Sequence, residues 1–413
     1  MTFKELNISE PIVRAVASLG FTEPTEIQGK CIPAMLEKKD IVGRSKTGSG
    51  KTFAFSIPAI ENIDLESKDI QVLILCPTRE LAVQTTEEIR KLTTYKYSIS
   101  AVAVYGGSGM SKQIEGIKKA KIVVGTPGRI IDHINRKTLR LDKVKLVVLD
   151  EADEMLDMGF RHDIETILKR TPHSRQTAMF SATMPSAIKS LMVTYMKNPV
   201  FIESARLTTN EEEIEETYIR TFPGGKKQAL FELINEIKPQ SAIVFCNTRA
   251  MTDATTRFLH ARGINALALH GDMTQSERRR TMESMKAHKL NILVATDVAA
   301  RGIDIENVEY IINLDIPNDT ESYTHRIGRT GRAGRKGVSI SIVEDADRLT
   351  ALLNIAHTRK TSVNEHVLSQ GISTFSDIIT QKAQTKSALS GNSAFKSKSS
   401  GFIPFAKSSR GKR

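Results

Sequence analysis

The segment Ser45-Lys46-Thr47-Gly48-Ser49-Gly50-Lys51-Thr52 sits between the apolar run Ile41-Val42-Gly43 and a stretch with helical apolar spacing. Strand, glycine-rich loop and helix in that order make a phosphate cradle. Gly48 and Gly50 let backbone N–H groups turn toward phosphate oxygens, and the helix N-terminus adds a positive dipole. Lys51 is placed to reach the β- and γ-phosphates of a nucleotide, and the Thr52 hydroxyl to ligate magnesium. Ser45 stands where Gly or Ala is usual, and a side chain this small still fits. Such a cradle needs an acidic partner at the end of a neighbouring strand. The apolar run Leu146-Val147-Val148-Leu149 delivers Asp150-Glu151-Ala152-Asp153. Asp150 is expected to hold magnesium through water, and Glu151 is the candidate general base for an attacking water. Acidic residues also favour helix starts, but their place at the end of a buried strand points to catalysis.

These residues require elements that bring loops to one edge of a sheet. Short β-branched runs alternate with helical patterns: Asp40–Gly43, Gln71–Cys76, Ala101–Tyr105, Ile122–Val124, Lys145–Leu149 and Thr177–Phe180. Several are apolar throughout, as parallel strands covered on both faces must be. The polar stretch Ser204–Glu216, with Glu211-Glu212-Glu213, reads as a linker. Alternation restarts with Ala242–Phe245, Ala266–Leu269, Ile292–Ala295, Tyr310–Leu314 and Val338–Val343. The expected architecture is α/β: two doubly wound parallel sheets, with ligands at the carboxyl ends of the strands. The expected boundaries are 1–203 for the first lobe, 204–215 for the linker, 216–362 for the second lobe and 363–385 for an extension. A disordered tail, 386–413, follows.

The 413 residues suit two domains plus tails, and 40% apolar with 26% charged residues suits a soluble protein. No run approaches the roughly 20 apolar residues of a membrane span. The N-terminus lacks the order of a secretory signal. Cys31, Cys76 and Cys246 are widely spaced and read as buried small hydrophobes, so a reducing cytoplasm is expected. Of the net charge of +12, the tail supplies seven through Lys386, Lys396, Lys398, Lys407, Arg410, Lys412 and Arg413. That distribution favours a polyanionic partner, nucleic acid before membrane. Phe395, Phe402 and Phe405 interleave with these charges, so the tail reads as a non-specific RNA tether or as a flexible end.

At Asp150–Asp153 the sequence resembles the DEAD-box family of RNA helicases, in a compact, bacterial-like form, and the resemblance runs through roughly residues 1–345 in the family's order. It implies two tandem RecA-like domains, with ATP and Mg2+ as cofactors. Gly20-Phe21-Thr22-Glu23-Pro24-Thr25-Glu26-Ile27-Gln28 resembles the adenine-recognising segment, with Gln28 on the adenine edge and Phe21 stacked on the ring; Phe3 resembles the isolated upstream aromatic. Pro77-Thr78-Arg79, Gly106-Gly107, Thr126-Pro127-Gly128-Arg129 and Arg161 resemble residues that grip the sugar-phosphate backbone of RNA. Their chemistry agrees, since arginines, hydroxyls and glycine N–H groups all suit phosphate. Ser181-Ala182-Thr183 resembles the segment that couples nucleotide state to RNA affinity, by hydroxyl bonds to the acidic motif.

In the second lobe, which has no P-loop of its own, His325-Arg326-Ile327-Gly328-Arg329-Thr330-Gly331-Arg332 resembles the arginine-finger motif. Arg329 and Arg332 are implied to meet the γ-phosphate when the lobes close, with His325 and Arg326 as relays. Arg301 and Gly302 are implied to face RNA, and Asp304 the ATP ribose. Thr248, Gly271, Gln275, Arg278, Thr296 and Asp297 complete the implied RNA contacts. The expected function is ATP-dependent, local, non-processive unwinding or remodelling of RNA and RNA–protein complexes by a monomer. An ATP-dependent RNA clamp and a DNA translocase are the alternatives. The natural target, including any ribosomal-precursor or RNA-decay partner, is not readable.

Overall fold

The computed structural model describes residues 1–45, 48–96, 98–203, 214–300, 308–331 and 336–368, with the Gln275 side chain excepted. The first lobe carries β1 (Ile41–Arg44), β2 (Val72–Leu75), β3 (Ala101–Val104), β4 (Ile122–Gly125), β5 (Leu146–Leu149), β6 (Gln176–Ser181) and β7 (Val200–Glu203). The second carries β8 (Ile214–Arg220), β9 (Ala242–Cys246), β10 (Ala266–Leu269), β11 (Ile292–Thr296), β12 (Tyr310–Asn313), β13 (Gly337–Val343) and β14 (Asn364–Glu365). The two sheets have one topology, β3-β4-β2-β5-β6-β1-β7 and β10-β11-β9-β12-β13-β8-β14. Every pairing in both is parallel. Parallel strands need crossover helices, and these cover both faces.

Alternate residues of one strand therefore feed two cores. Val72 and Ile74 of β2 join the cluster containing Phe55 and Ile57, whereas Leu73 and Leu75 join the one containing Ile130 and Ile164. In the second lobe Val244 of β9 faces Leu230 and Leu259, while Ile243 and Phe245 face Leu293 and Ile311. With both faces sealed, the loops leaving the strands' carboxyl ends remain for ligands. Cys31, Cys76 and Cys246 are buried and free, as expected. No helix among the described residues is long and apolar enough to cross a membrane.

The sheets extend beyond the apolar runs. β7 and β14 are edge strands, where one neighbour is missing and the apolar signature weakens, and β8 lies between β13 and β14. β8 begins at Ile214, inside the segment expected as linker, and β14 pairs with it beyond residue 362. Residues 204–213 and the tail 386–413 lie outside the described residues. The charge of Glu216 on β8 is met from far along the chain. Arg359, 143 positions away, donates to both Glu216 oxygens at 2.8 Å. Tyr323 Oη adds a third bond at 3.0 Å. The side chains of Arg359 and Glu216 are 4% and 2% exposed, so neither charge is relieved by water. Arg359→Met should cost about 3–5 kcal/mol, because it strands a buried carboxylate. Urea denaturation should show that loss, and Glu216→Gln in the same chain should recover most of it.

Candidate nucleotide and RNA site

The phosphate loop is shaped by its neighbours. Gly48 and Gly50 have φ of 76° and 91°, a left-handed region that suits glycine. A Cβ on Gly50 would lie 2.4 Å from Gln28 Nε2. Gln28 is buried on the helix Glu26–Leu36. Its Nε2 donates to Gly50 O at 3.1 Å, and its Oε1 accepts from Thr25 N at 3.0 Å. Thr25 Oγ1 donates to Ser49 O at 2.9 Å. The segment expected to read adenine thus also braces the phosphate loop, and Gln28 keeps one N–H and one lone pair for another partner. Phe21 is 51% exposed and meets Phe53 edge-on, with ring centroids 5.4 Å apart. Its ring is open to stacking. Phe3, by contrast, is buried in the core with Leu6.

The loop also closes on itself. Ser45 Oγ and Ser49 Oγ are 2.9 Å apart, and Lys51 Nζ donates to Ser45 O at 3.3 Å. Thr52 follows, half-buried; Lys46 and Thr47 lie outside the described residues. Asp150 is 2% exposed, and its Oδ1 has no hydrogen-bond partner among the described residues. Burial raises its pKa, against the Lys51 charge. Glu151 adopts a left-handed φ of 51°, an unusual conformation for a side chain this size. Burial lifts its carboxyl to about 7; Lys51 and Arg329 oppose the rise, while Asp150 and Glu154 add to it. That value suits a general base near neutral pH.

Three contacts join the second lobe to the first. His325 Nδ1 pairs with Glu154. The Thr183 hydroxyl bonds Asp153 at 3.0 Å and also Glu321 of the second lobe. Arg278 Nε donates to Glu80 at 2.8 Å. Asp153 also accepts from the Ala182 and Thr183 N–H groups at 3.0 and 2.8 Å. The hydroxyl link expected for this segment is therefore present through Thr183, whereas Ser181 Oγ turns to Thr183 O at 2.6 Å.

Several expected residues have partners within the protein. Arg278, expected on RNA, is buried between the lobes on Glu80. Asp297, also expected on RNA, gives both oxygens to Arg326 at 2.5 and 2.7 Å. Arg326, expected as a relay, is 1% exposed and bonds Asn247, Asn313 and Asp315 O as well, so it anchors the second lobe internally. Thr78 and Thr248 each cap a helix, accepting from Leu81 N at 3.3 Å and Met251 N at 3.1 Å. Arg129, expected to reach phosphate, donates to Ser108 O at 3.2 Å and is 15% exposed. Arg161 is half-exposed and bonds Glu165 at 3.0 Å.

The remaining expected RNA residues gather at the strands' carboxyl ends. Arg79 is exposed, and a Cβ on Gly107 would come 2.4 Å from its Nη1. Pro77 and Pro127 are buried, Thr126 starts the helix Pro127–Asn135, and Gly128 faces open space. In the second lobe Gly271 is exposed, and Thr296 ends β11, buried. Arg301, Gly302, Asp304 and Arg332 lie outside the described residues. Arg249 escaped the sequence reading. It follows Thr248 as Arg79 follows Thr78, approaches Gly271 as Arg79 approaches Gly106, and pairs with Asp272. The repeated Thr-Arg pair after the second strand of each lobe was the available signal.

In the second lobe Gly224-Gly225-Lys226 follows β8, the place that Gly50-Lys51 takes after β1. Here Lys226 pairs with Asp315 at 3.0 Å and Glu344 at 2.8 Å, and Gly224 N donates to Glu344 at 3.2 Å. A side-chain carboxylate occupies the donors a phosphate would need, in keeping with a lobe expected to lack its own nucleotide site.

The Glu151 geometry makes a testable demand on stability. Its carboxyl is raised from 4.5 unfolded to about 7 folded. The folded state therefore holds the proton more tightly, and stability falls as pH rises through that interval. In nucleotide-free protein Glu151→Gln should raise the melting temperature at pH 8, and the gain should vanish toward pH 5.

Comparison with known proteins agrees with this arrangement. The DEAD/DEAH box helicase family matches residues 25–191, and the helicase conserved C-terminal domain family matches residues 225–334. ATP-dependent RNA helicase CshA of Listeria monocytogenes is 49% identical over 343 residues, covering 83% of this chain and 66% of its own length. CshA of Limosilactobacillus reuteri is 49% identical over 346 residues, covering 83% and 69%. The chain thus spans about two thirds of these relatives. S. cerevisiae Dbp5 bound to RNA and ADP BeF3 superposes with a TM-score of 0.81 at 30% identity, covering 94% of this chain and 99% of that one. The chain belongs to the DEAD-box family of ATP-dependent RNA helicases, which hydrolyse ATP.

Proposed function

We propose that this protein uses ATP binding to close its two lobes on single-stranded RNA, and ATP hydrolysis to reopen them. Duplexes and RNA–protein complexes would be separated locally rather than processively. The observation that carries the reading is the contact of the second lobe with the acidic strand end of the first: His325 pairs with Glu154, and Thr183, bonded to Asp153, also meets Glu321. The likeness of both lobes at once to RNA-bound Dbp5 supports it.

In this mechanism Lys51 exchanges Ser45 O for phosphate oxygens, and Phe21 and Gln28 take the adenine. Glu151 accepts the proton of the attacking water, and Arg329 balances charge on the transferring phosphoryl group. Thr52 and Asp150 would hold magnesium, since a buried carboxylate oxygen without a partner among the described residues suits a hard cation. That ion would neutralise charge on the β- and γ-phosphate oxygens. An arginine finger is worth about 10³–10⁵ in rate, so closure gates turnover. Arg79, Arg249 and the Gly106-Gly107 and Gly271 loops hold the sugar-phosphate backbone, which carries little base information. RNA and ATP favour one closed state, so each tightens the other. Cytoplasmic residence and a monomeric state belong to this reading.

Lys51→Ala should abolish RNA-stimulated phosphate release, and wild-type turnover in that variant would remove the site assignment. Glu151→Gln should retain ATP-dependent RNA binding while losing hydrolysis by at least about 10²-fold, the order of general-base contributions. Stimulation by RNA well above that by matched DNA, together with displacement of a short duplex, would separate this reading from a translocase or a clamp.

A further inference from the structure

The loop after β3 has a second support, formed by two residues outside the phosphate-gripping motifs. Gln113, on the helix Met110–Ile117, is 4% exposed; His133, on the helix Pro127–Asn135, is fully buried. The Gln113 amide lies 2.9 Å from Tyr105 O and 3.0 Å from His133 Nε2. A carbonyl only accepts, so the amide turns its NH2 to Tyr105 and its Oε1 to His133. Oε1 only accepts in turn, so His133 Nε2 carries the proton. His133 Nδ1 then takes the Thr138 hydroxyl at 2.8 Å. Burial and the nearby Arg129 and Arg136 charges hold the imidazole below its ordinary pKa, against Asp132. Arg129 Nη1, which donates to Ser108 O, also lies 3.5 Å from Gln113 Oε1. Gln113 therefore ties one end of the Tyr105–Ser108 loop directly and the other through Arg129.

We propose that Gln113 and His133 are positioning residues that set the Gly106-Gly107 turn and the Arg129 guanidinium in the geometry that grips the RNA backbone. The proposal rests on the reading of that loop as an RNA contact. Two consecutive glycines are costly to order, and fixing them before RNA arrives removes that cost from binding. The network packs against one side of the loop, and Arg79 approaches both glycines. Arg129 acts here through the loop as much as through its own charge.

The test uses the full chain with Gln113→Met and His133→Phe, each close in volume and without the polar atoms. The RNA concentration for half-maximal ATPase, and the Kd for a fluorescent single-stranded RNA, should rise about tenfold, as loss of roughly one buried hydrogen bond predicts. The maximal rate at saturating RNA should stay within about twofold, so the change falls on RNA affinity. Adding Gln113→Met to Arg129→Ala should weaken binding by less than about twofold more, because both act on one loop. RNA affinity within about twofold of wild type in a stably folded Gln113→Met variant would overturn the proposal. So would equal losses in RNA affinity, maximal rate and ATP affinity, which mark general destabilisation. If His133→Phe does not fold, Gln113→Met decides alone. Arg79→Ala separates the two layers of inference: if it also leaves RNA affinity intact, the RNA-contact reading fails, and if it alone weakens binding, only the positioning role does.

Discussion

Arg326 spends all five of its N–H donors inside the second lobe, and every residue of that lobe described as facing the nucleotide site depends on where this places its helix. The guanidinium is bidentate to Asp297, reaches Asn247 and Asn313, and donates to Asp315 O at 2.6 Å. It lies 5.1 Å from the centre of the Phe245 ring. These partners sit at the carboxyl ends of β9, β11 and β12, so one side chain ties three strands to the helix Thr320–Ile327. A buried arginine is tolerable only when its charge is paired and its donors are filled. Meeting both conditions fixes the helix, and with it Glu321, His325 and Arg329 at the lobe interface. On the opposite side of that helix, Tyr323 bonds the Glu216–Arg359 pair.

The first lobe has the reverse arrangement. Its central carboxylates are buried with too little positive charge, which is why Asp150 and Glu151 both bind protons more readily than usual. Lys51 is near enough to help but holds Ser45 O. Such a site is electrostatically incomplete without cations from outside, and the second lobe brings one in Arg329. The Gly224–Lys226 loop of the second lobe marks the contrast, since Lys226 holds two carboxylates there.

Each lobe meets the other through polar contacts between groups of opposite sign or between a hydroxyl and carboxylates. Arg278 with Glu80, His325 with Glu154, and Thr183 with Asp153 and Glu321 form that seam. Polar seams of this kind give up little apolar burial on opening, which suits the proposed separation and rejoining of the lobes. Thr183 and Arg278 each bond groups in both lobes, and the N–H groups of Ala182 and Thr183 hold Asp153 just beyond the carboxyl end of β5.

The sequence by itself determined the α/β alternation, the phosphate loop and the acidic strand end. Those features are local: a fully apolar strand needs two covered faces, and a glycine loop before a helix cradles phosphate wherever it occurs. The edge strands β7 and β14 were not legible because an edge needs less apolar burial, and β8 was not because the partner of its Glu216 lies 143 residues away. The same limit applied to single charges. Arg79, Arg278 and Arg326 look alike in a sequence, yet one is exposed beside the glycine loop, one bridges the lobes and one is an internal anchor. Which partner a charge meets depends on contacts between distant segments, and only the tertiary structure decides those.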